Sequence, residues 1–179
     1  IVATRQGMAI RFNETDARVL GRTARGVRAL NLEEDDIVVG MVPVMENTTV
    51  LTVSENGQGR RTDPAEYRLQ SRGGKGIKNY DTQKNGPVAG VLAVGEEDDV
   101  ILISDDGIII RIPVAEISTQ SRYAGGVRVM RIGEGSRLVS LCRAPHEDEE
   151  EAAAESEAPA EAETPAEETA DSTESPVEE

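Results

Sequence analysis

SRGGKGIK, residues 71–78, stands fifty residues after GRTARGVR (21–28) and fifty residues before SRYAGGVR (121–128). In each octet a small residue is followed by cations at the first, fourth and seventh positions, except that Gly125 replaces the fourth in the last. Outward from these octets the same fifty-residue shift aligns everything else without a gap. Upstream lie Gly7, Gly57 and Gly107, then Arg11, Arg61 and Arg111, then Asp16, Glu66 and Glu116. Downstream lie the apolar runs IVVGMVPV (37–44), PVAGVLAV (87–94) and RLVSLCRA (137–144). A fixed period held over three units marks a stack of one supersecondary motif, each copy burying its face on the next.

Each unit reads as β. A first strand ends in Gln6-Gly7, Asn56-Gly57 or Asp106-Gly107, pairs suited to a hairpin turn that needs positive φ. A second strand follows near 8–12, and two more near 26–31 and 36–44, with their equivalents fifty residues on. Helical periodicity is absent, and no helix is expected. Four strands in one short repeat is the arithmetic of a propeller-like blade, but three blades are too few to close a ring. The expected architecture is all-β: propeller-like blades of about four antiparallel strands, in repeats of approximately 1–48, 49–98 and 99–145, with a disordered tail over 146–179. The chain opens at Ile1 inside a strand and reads as an arc of something larger.

The net charge of −15 hides two unlike parts. Residues 1–145 carry all 19 basic side chains and 19 of the 34 acidic ones, so the body is neutral. The other 15 acids fill 146–179, where Val177 is the only large aliphatic residue; such a segment cannot build a core. That tail is expected to solubilise the chain or to compete with an anionic ligand for the basic loops. One cysteine and one histidine exclude an internal disulfide, a His/Cys metal cage and a His-based triad. Without an apolar run near 18 residues or a signal peptide, the chain reads as soluble and intracellular. Cys142 aligns with Val42 and Leu92 and is expected in the core.

The candidate site is the series of basic octets. Arg22, Arg25, Arg28, Arg72, Lys75, Lys78, Arg122 and Arg128 repeat at one place on every unit, beside glycines that let backbone N–H groups approach an anion. A regular stripe of cations suits a sugar-phosphate backbone better than a single small phosphate. For Arg11, Arg61 and Arg111, contact with the same ligand and protection of a strand edge are both open. The acids of Glu33–Asp36 and Glu96–Asp99 are expected away from the basic loops, and Asp16, Glu66 and Glu116 are expected to pair or cap locally. SRGGKG does not match the phosphate loop of nucleotide enzymes, which needs a G-x-x-x-x-G-K-[ST] run between strand and helix.

GRTARGVR with its following VVG, and SRGGKGIK with its following NGPVAGVLAV, resemble the C-terminal domain of the A subunit of DNA gyrase over about 1–145. That family folds as a six-bladed β-pinwheel and wraps duplex DNA on a basic rim, so the resemblance implies the last three blades and no catalytic residue here. Its diagnostic box reads Gln-Arg-Arg-Gly-Gly-Lys-Gly; Gln70, Arg72, Gly73, Gly74, Lys75 and Gly76 match it, while Ser71 replaces the first arginine. The middle place of this segment implies an echo of the box rather than the box itself. The resemblance implies duplex DNA as a partner, with the B subunits of gyrase and a second A subunit completing an A2B2 assembly. It implies a cytoplasmic, nucleoid-associated setting. It implies no cofactor in these residues, with ATP and Mg2+ used elsewhere in the parent complex. The related domain of the A subunit of topoisomerase IV remains open, as does a protein-interaction propeller with a partner-binding acidic tail.

Overall fold

The computed structural model describes residues 1–146, which form one compact unit. The expectations for the acidic tail fall outside the described residues. Eleven strands are present among them: β1 (Val2–Thr4), β2 (Met8–Ile10), β3 (Val38–Met41), β4 (Thr49–Ser54), β5 (Gln58–Thr62), β6 (Ile77–Lys78), β7 (Val88–Val94), β8 (Asp98–Ser104), β9 (Ile109–Pro113), β10 (Val127–Arg128) and β11 (Leu138–Pro145). They make three antiparallel sheets, ordered β3-β1-β2-β6, β10-β5-β4-β7 and β11-β8-β9.

The expected blades are there, but a blade is not a repeat. The outer strand of the first sheet, β6, comes from the second repeat, with Ile77 opposite Ala9 and Lys78 opposite Met8. The outer strand of the second sheet, β10, comes from the third, with Val127 opposite Gly59. The second and third repeats therefore each donate a short strand to the blade before them. The segment around 27–28, expected as a strand, has no sheet partner among the described residues and is irregular.

The hairpin glycines explain how the donated strand fits. Gly7, Gly57 and Gly107 close their turns with N–H bonds to Thr4, Ser54 and Ser104 at 3.0, 3.0 and 3.1 Å, each glycine at positive φ. Positive φ falls on the glycine alone, which is the three-residue hairpin loop with a bulge. The carbonyl of Gly7 receives N–H bonds from Asn79 and Tyr80, at 2.7 and 3.0 Å, and that of Gly57 receives them from Val129 and Met130, at 2.9 and 3.2 Å. A Cβ at Gly7 would stand 2.5 Å from the Tyr80 carbonyl oxygen, so glycine also makes room for the invading chain.

The cores lie between consecutive blades. One joins Ala3, Ala9 and Val42 to Val50, Tyr67, Tyr80 and Val88; the other joins Leu51, Val53 and Val94 to Leu102, Ile117, Met130 and Leu138. Gly40 and Gly90, equivalent by the repeat, admit Val91 and Leu141 of the next blade. Helix is present in single turns only: 3-10 turns at Glu14–Asp16, Pro64–Glu66 and Val114–Glu116, and an α turn at Thr82–Asn85. Asn13 and Asp63 cap the first two through their side chains, accepting from Thr15 and Ala65 N–H. These turns were not expected, because three or four residues are too short to carry a helical period. Cys142 is exposed, not core: its counterpart Val42 is covered by the following blade, and no described blade follows β11.

Candidate nucleic-acid interface

The three basic octets follow the 3-10 turns, and the second and third lead into the donated strands, so strand exchange carries those two onto the preceding blade. There, loop is tied to loop. Arg72 donates from Nη1 to the Arg28 carbonyl at 2.5 Å and from Nε to the Asp16 carbonyl at 3.2 Å. Arg122, fifty residues on, donates from Nη1 to the Lys78 carbonyl and stacks on Tyr123, 4.4 Å from the ring centre. Gly73 and Asn31 complete the first junction, with N–H bonds to the Ala29 and Gly74 carbonyls at 2.7 and 2.9 Å. The octets thus form one hydrogen-bonded series along the blades.

The predicted cations divide by this geometry. Arg22, Arg25, Arg28 and Arg128 are exposed, and none of them forms an ion pair with another described residue. Lys75 and Lys78 are exposed and hold loose pairs with Glu33 at 3.6 Å and Asp81 at 3.3 Å. Arg72 and Arg122 commit part of each guanidinium to the loop-to-loop bonds. Glu33 therefore lies beside a basic loop rather than away from it, because strand exchange brings 71–78 against 29–33 of the preceding repeat.

Arg11 and Arg61 have a role beyond the two that the sequence left open. Arg11 Nη1 donates to the carbonyls of Pro64 and Tyr67, at 2.8 and 3.3 Å. Arg61 Nε donates to the equivalent carbonyl, Ile117, at 2.5 Å, while its Nη1 meets Glu96 at 2.7 Å and holds that carboxyl below its ordinary range. These side chains clamp a blade to the 3-10 turn of the next repeat. Arg61 is only 5% exposed, which removes it from any surface contact with a polyanion. Arg111 turns instead to Asp99 at 2.7 Å and to the Pro145 carbonyl at 2.5 Å. Burial pushes the Asp99 carboxyl up, but hydrogen bonds from His146 and Arg111 overcome it and hold the group below its ordinary value.

Arg60 and Asn79 were not among the expected functional residues, whereas the expected capping role of Glu66 is present. Arg60 is fully buried; it donates to the carbonyls of Ser121 at 3.1 Å, Arg122 at 2.6 Å and Asn79, and lies 4.9 Å over the Tyr80 ring. It holds the third octet by its backbone. The available signal was a break in the repeat, since Ile10 and Ile110 occupy its equivalents. Glu66 caps that octet, its Oε2 accepting the Arg122 N–H at 2.7 Å. Asn79 bridges the buried Tyr67 hydroxyl, at 2.6 Å, and the Thr52 hydroxyl, at 3.3 Å. Among the described residues no group of three or more His, Cys, Asp or Glu side chains is placed to hold a metal ion, and no helix is long and apolar enough to cross a membrane.

Consecutive antiparallel blades that trade strands, with basic loops chained along them, define a β-propeller domain of the pinwheel type. The family described as "DNA gyrase C-terminal domain, beta-propeller" matches residues 1–45, 48–94 and 98–141. The chain belongs to that family. The A subunit of DNA gyrase from Haloquadratum walsbyi is 52% identical over a stretch covering 35% of this chain and 8% of that protein. Its counterpart from Helicobacter pylori is 44% identical, again over 35% of this chain and 8% of its own length. A solved DNA gyrase A C-terminal domain matches with a TM-score of 0.72 and 32% identity, over 79% of this chain and 49% of that one. A topoisomerase IV C-terminal domain matches with a TM-score of 0.75 over 87% of this chain and 49% of that one; at 23% identity it speaks for the fold alone.

Proposed function

We propose that the chained basic loops grip the sugar-phosphate backbone of duplex DNA and bend it around the blades, as the DNA-wrapping portion of the A subunit of a DNA gyrase that introduces negative supercoils. The observation that carries this reading is the series itself. Guanidinium-to-carbonyl bonds fix the spacing of consecutive octets, and Arg22, Arg25, Arg28, Lys75, Lys78 and Arg128 keep their charged ends in solvent. A duplex of 20–30 bp bent by 40–90° stores about 1–6 kcal/mol, which phosphate neutralisation and counterion release offset. Contacts to phosphate fix register on the backbone and carry no sequence information directly.

In this proposal the DNA-cleaving chemistry, ATP and Mg2+ belong to other regions of a complex with B subunits and a second copy of the A subunit, in the cytoplasm at the nucleoid. Gel-shift titration of linear duplex at several salt concentrations tests it, with the full chain and with residues 1–146. Six engaged cations predict a slope of log K against log salt near −5, at about 0.9 per contact. No binding by residues 1–146 at low salt refutes the proposal.

A further inference from the structure

The second and third octets rest on blades of the same architecture but carry their charge in opposite places. At the first junction the fourth cation position of the octet is Lys75, its side chain exposed. The blade beneath presents the buried Ile10, whose Cδ1 lies 3.8 Å from where a Cβ on Gly74 would stand. At the second junction Gly125 takes the place of Lys75, and the blade beneath presents Arg60, 0% exposed, in the place of Ile10. Space does not force this exchange. Gly125 is not among the glycines at positive φ, and a Cβ there would meet only the Asn85 amide, at 3.8 and 3.9 Å. Nor does such a junction require a guanidinium, since Ile10 serves the first one.

The charge of Arg60 is cancelled by no ion pair among the described residues. Its bonds run to the neutral carbonyls of Asn79, Ser121 and Arg122, and its Nη1 has no partner. No described carboxylate pairs with it, whereas the neighbouring Arg61 is met by Glu96. Glu66, the acid that caps this octet, accepts the Arg122 N–H instead, at 2.7 Å. Above the guanidinium the loop turns its carbonyls inward: those of Ser121 and Arg122 to Arg60, and that of Gly125 to the Tyr80 hydroxyl at 3.2 Å. A planar trans peptide sends the Gly126 N–H the opposite way, outward. No described carbonyl accepts from the N–H groups of Gly125 or Gly126, and Nδ2 of the adjacent Asn85 also lacks a partner. Unpaired donors and one uncompensated cation thus border the same side-chain-free stretch of loop.

We propose that Arg60 is the missing cation of the third octet, acting from beneath the main chain to make Gly125 and Gly126 a seat for one phosphate group. The glycine N–H groups supply the direct contacts, as in phosphate-binding nests, and the buried guanidinium supplies the charge. A charge held in a low-dielectric interior, with no side chain between it and the ligand, is screened far less than an exposed one. The phosphate is a phosphodiester of the duplex, an assignment that rests on the DNA-wrapping proposal; Arg122 ties this octet to Lys78 in the same basic series. The seat adds one phosphate contact to those of the six exposed cations. Arg61 makes no such seat, because Glu96 answers its charge.

Two readouts on the full chain test it, and the first needs no DNA. With C142S removing the native thiol, G125C places a thiol over Arg60 at a position with room for a Cβ. A nearby cation favours the thiolate, so alkylation near neutral pH is expected to run about three- to tenfold faster with Arg60 or with R60K than with R60Q. Equal rates in the three proteins, each shown folded by circular dichroism, overturn the inference. The second readout is the salt dependence of duplex binding, where R60Q makes the slope shallower by about 0.9. The slope counts phosphates neutralised rather than cations supplied, so G125K leaves the slope of the native chain unchanged and restores that of R60Q. A slope steeper by about 0.9 on adding G125K to the native chain overturns the inference, and that comparison stands even if R60Q does not fold. Failure of the unaltered chain to bind duplex refutes the wrapping proposal instead, and the thiol rates still decide whether Arg60 charges the seat.

Discussion

Replacing Arg61 with glutamine separates a clamp from a DNA contact. The side chain is 5% exposed, so its loss acts first on packing. Glutamine is too short to keep the 2.5 Å bond from Nε to the Ile117 carbonyl, and a buried carbonyl left unpaired costs about 1–3 kcal/mol. The ion pair adds little, because Glu96 is 72% exposed and solvent-screened pairs contribute about 0–1 kcal/mol. The sum is about 1–4 kcal/mol. For a unit of this size, about 2–4 °C per kcal/mol gives a fall in Tm of roughly 2–16 °C. The melt is followed by far-ultraviolet circular dichroism, and the salt dependence of DNA binding is measured on the same variant below its Tm. The expected outcome is a lower Tm with an unchanged salt slope. An unchanged Tm with a slope shallower by about 0.9, the value of one lost phosphate contact, would show that the reasoning about Arg61 is wrong.

The opposite pattern is expected for R22Q/R25Q/R28Q, which removes three exposed cations without buried partners: Tm holds and the salt slope falls by about 2.7, checked by the same two assays. Gly57→Ala and Gly107→Ala measure strand exchange, since both glycines have positive φ, +75° and +84°. Alanine at 107 costs about 1–2 kcal/mol of backbone strain. At 57 its Cβ also meets the Met130 carbonyl, raising the cost to about 2–5 kcal/mol in denaturant melts. Acid titration tests the Asp99 site. Its folded carboxyl sits below the ordinary 3.8, so its contribution is complete above that pH and is lost as the pH falls below it. D99N should therefore flatten the acid limb of Tm against pH, and an unaltered limb would count against this network.

Much of the fold was legible because the repeat is itself physical evidence. Chance does not preserve hairpin glycines, basic octets and apolar runs at a constant fifty-residue shift, and alternating short strands around Gly-ended turns permit few other architectures. The exposed members of the octets were legible for the same reason, since a solvated charge needs no partner to be recognised. Strand exchange was not, because β6 and β10 are two residues long and carry no sign of which blade will receive them. The role of Arg11 and Arg61 was hidden by the same gap: their acceptors lie 53 to 56 residues away, on backbone carbonyls that no side-chain identity reveals.

By itself, then, the amino-acid order determined that the body is a stack of β units with a repeated basic loop, because hydrophobic period, turn glycines and charge are local properties. Only the tertiary structure decided which repeat completes which blade and which arginines remain exposed to solvent. Those outcomes depend on long-range approach of backbone to backbone. There the hydrogen-bonding groups are the same for every residue, and geometry alone selects the partner.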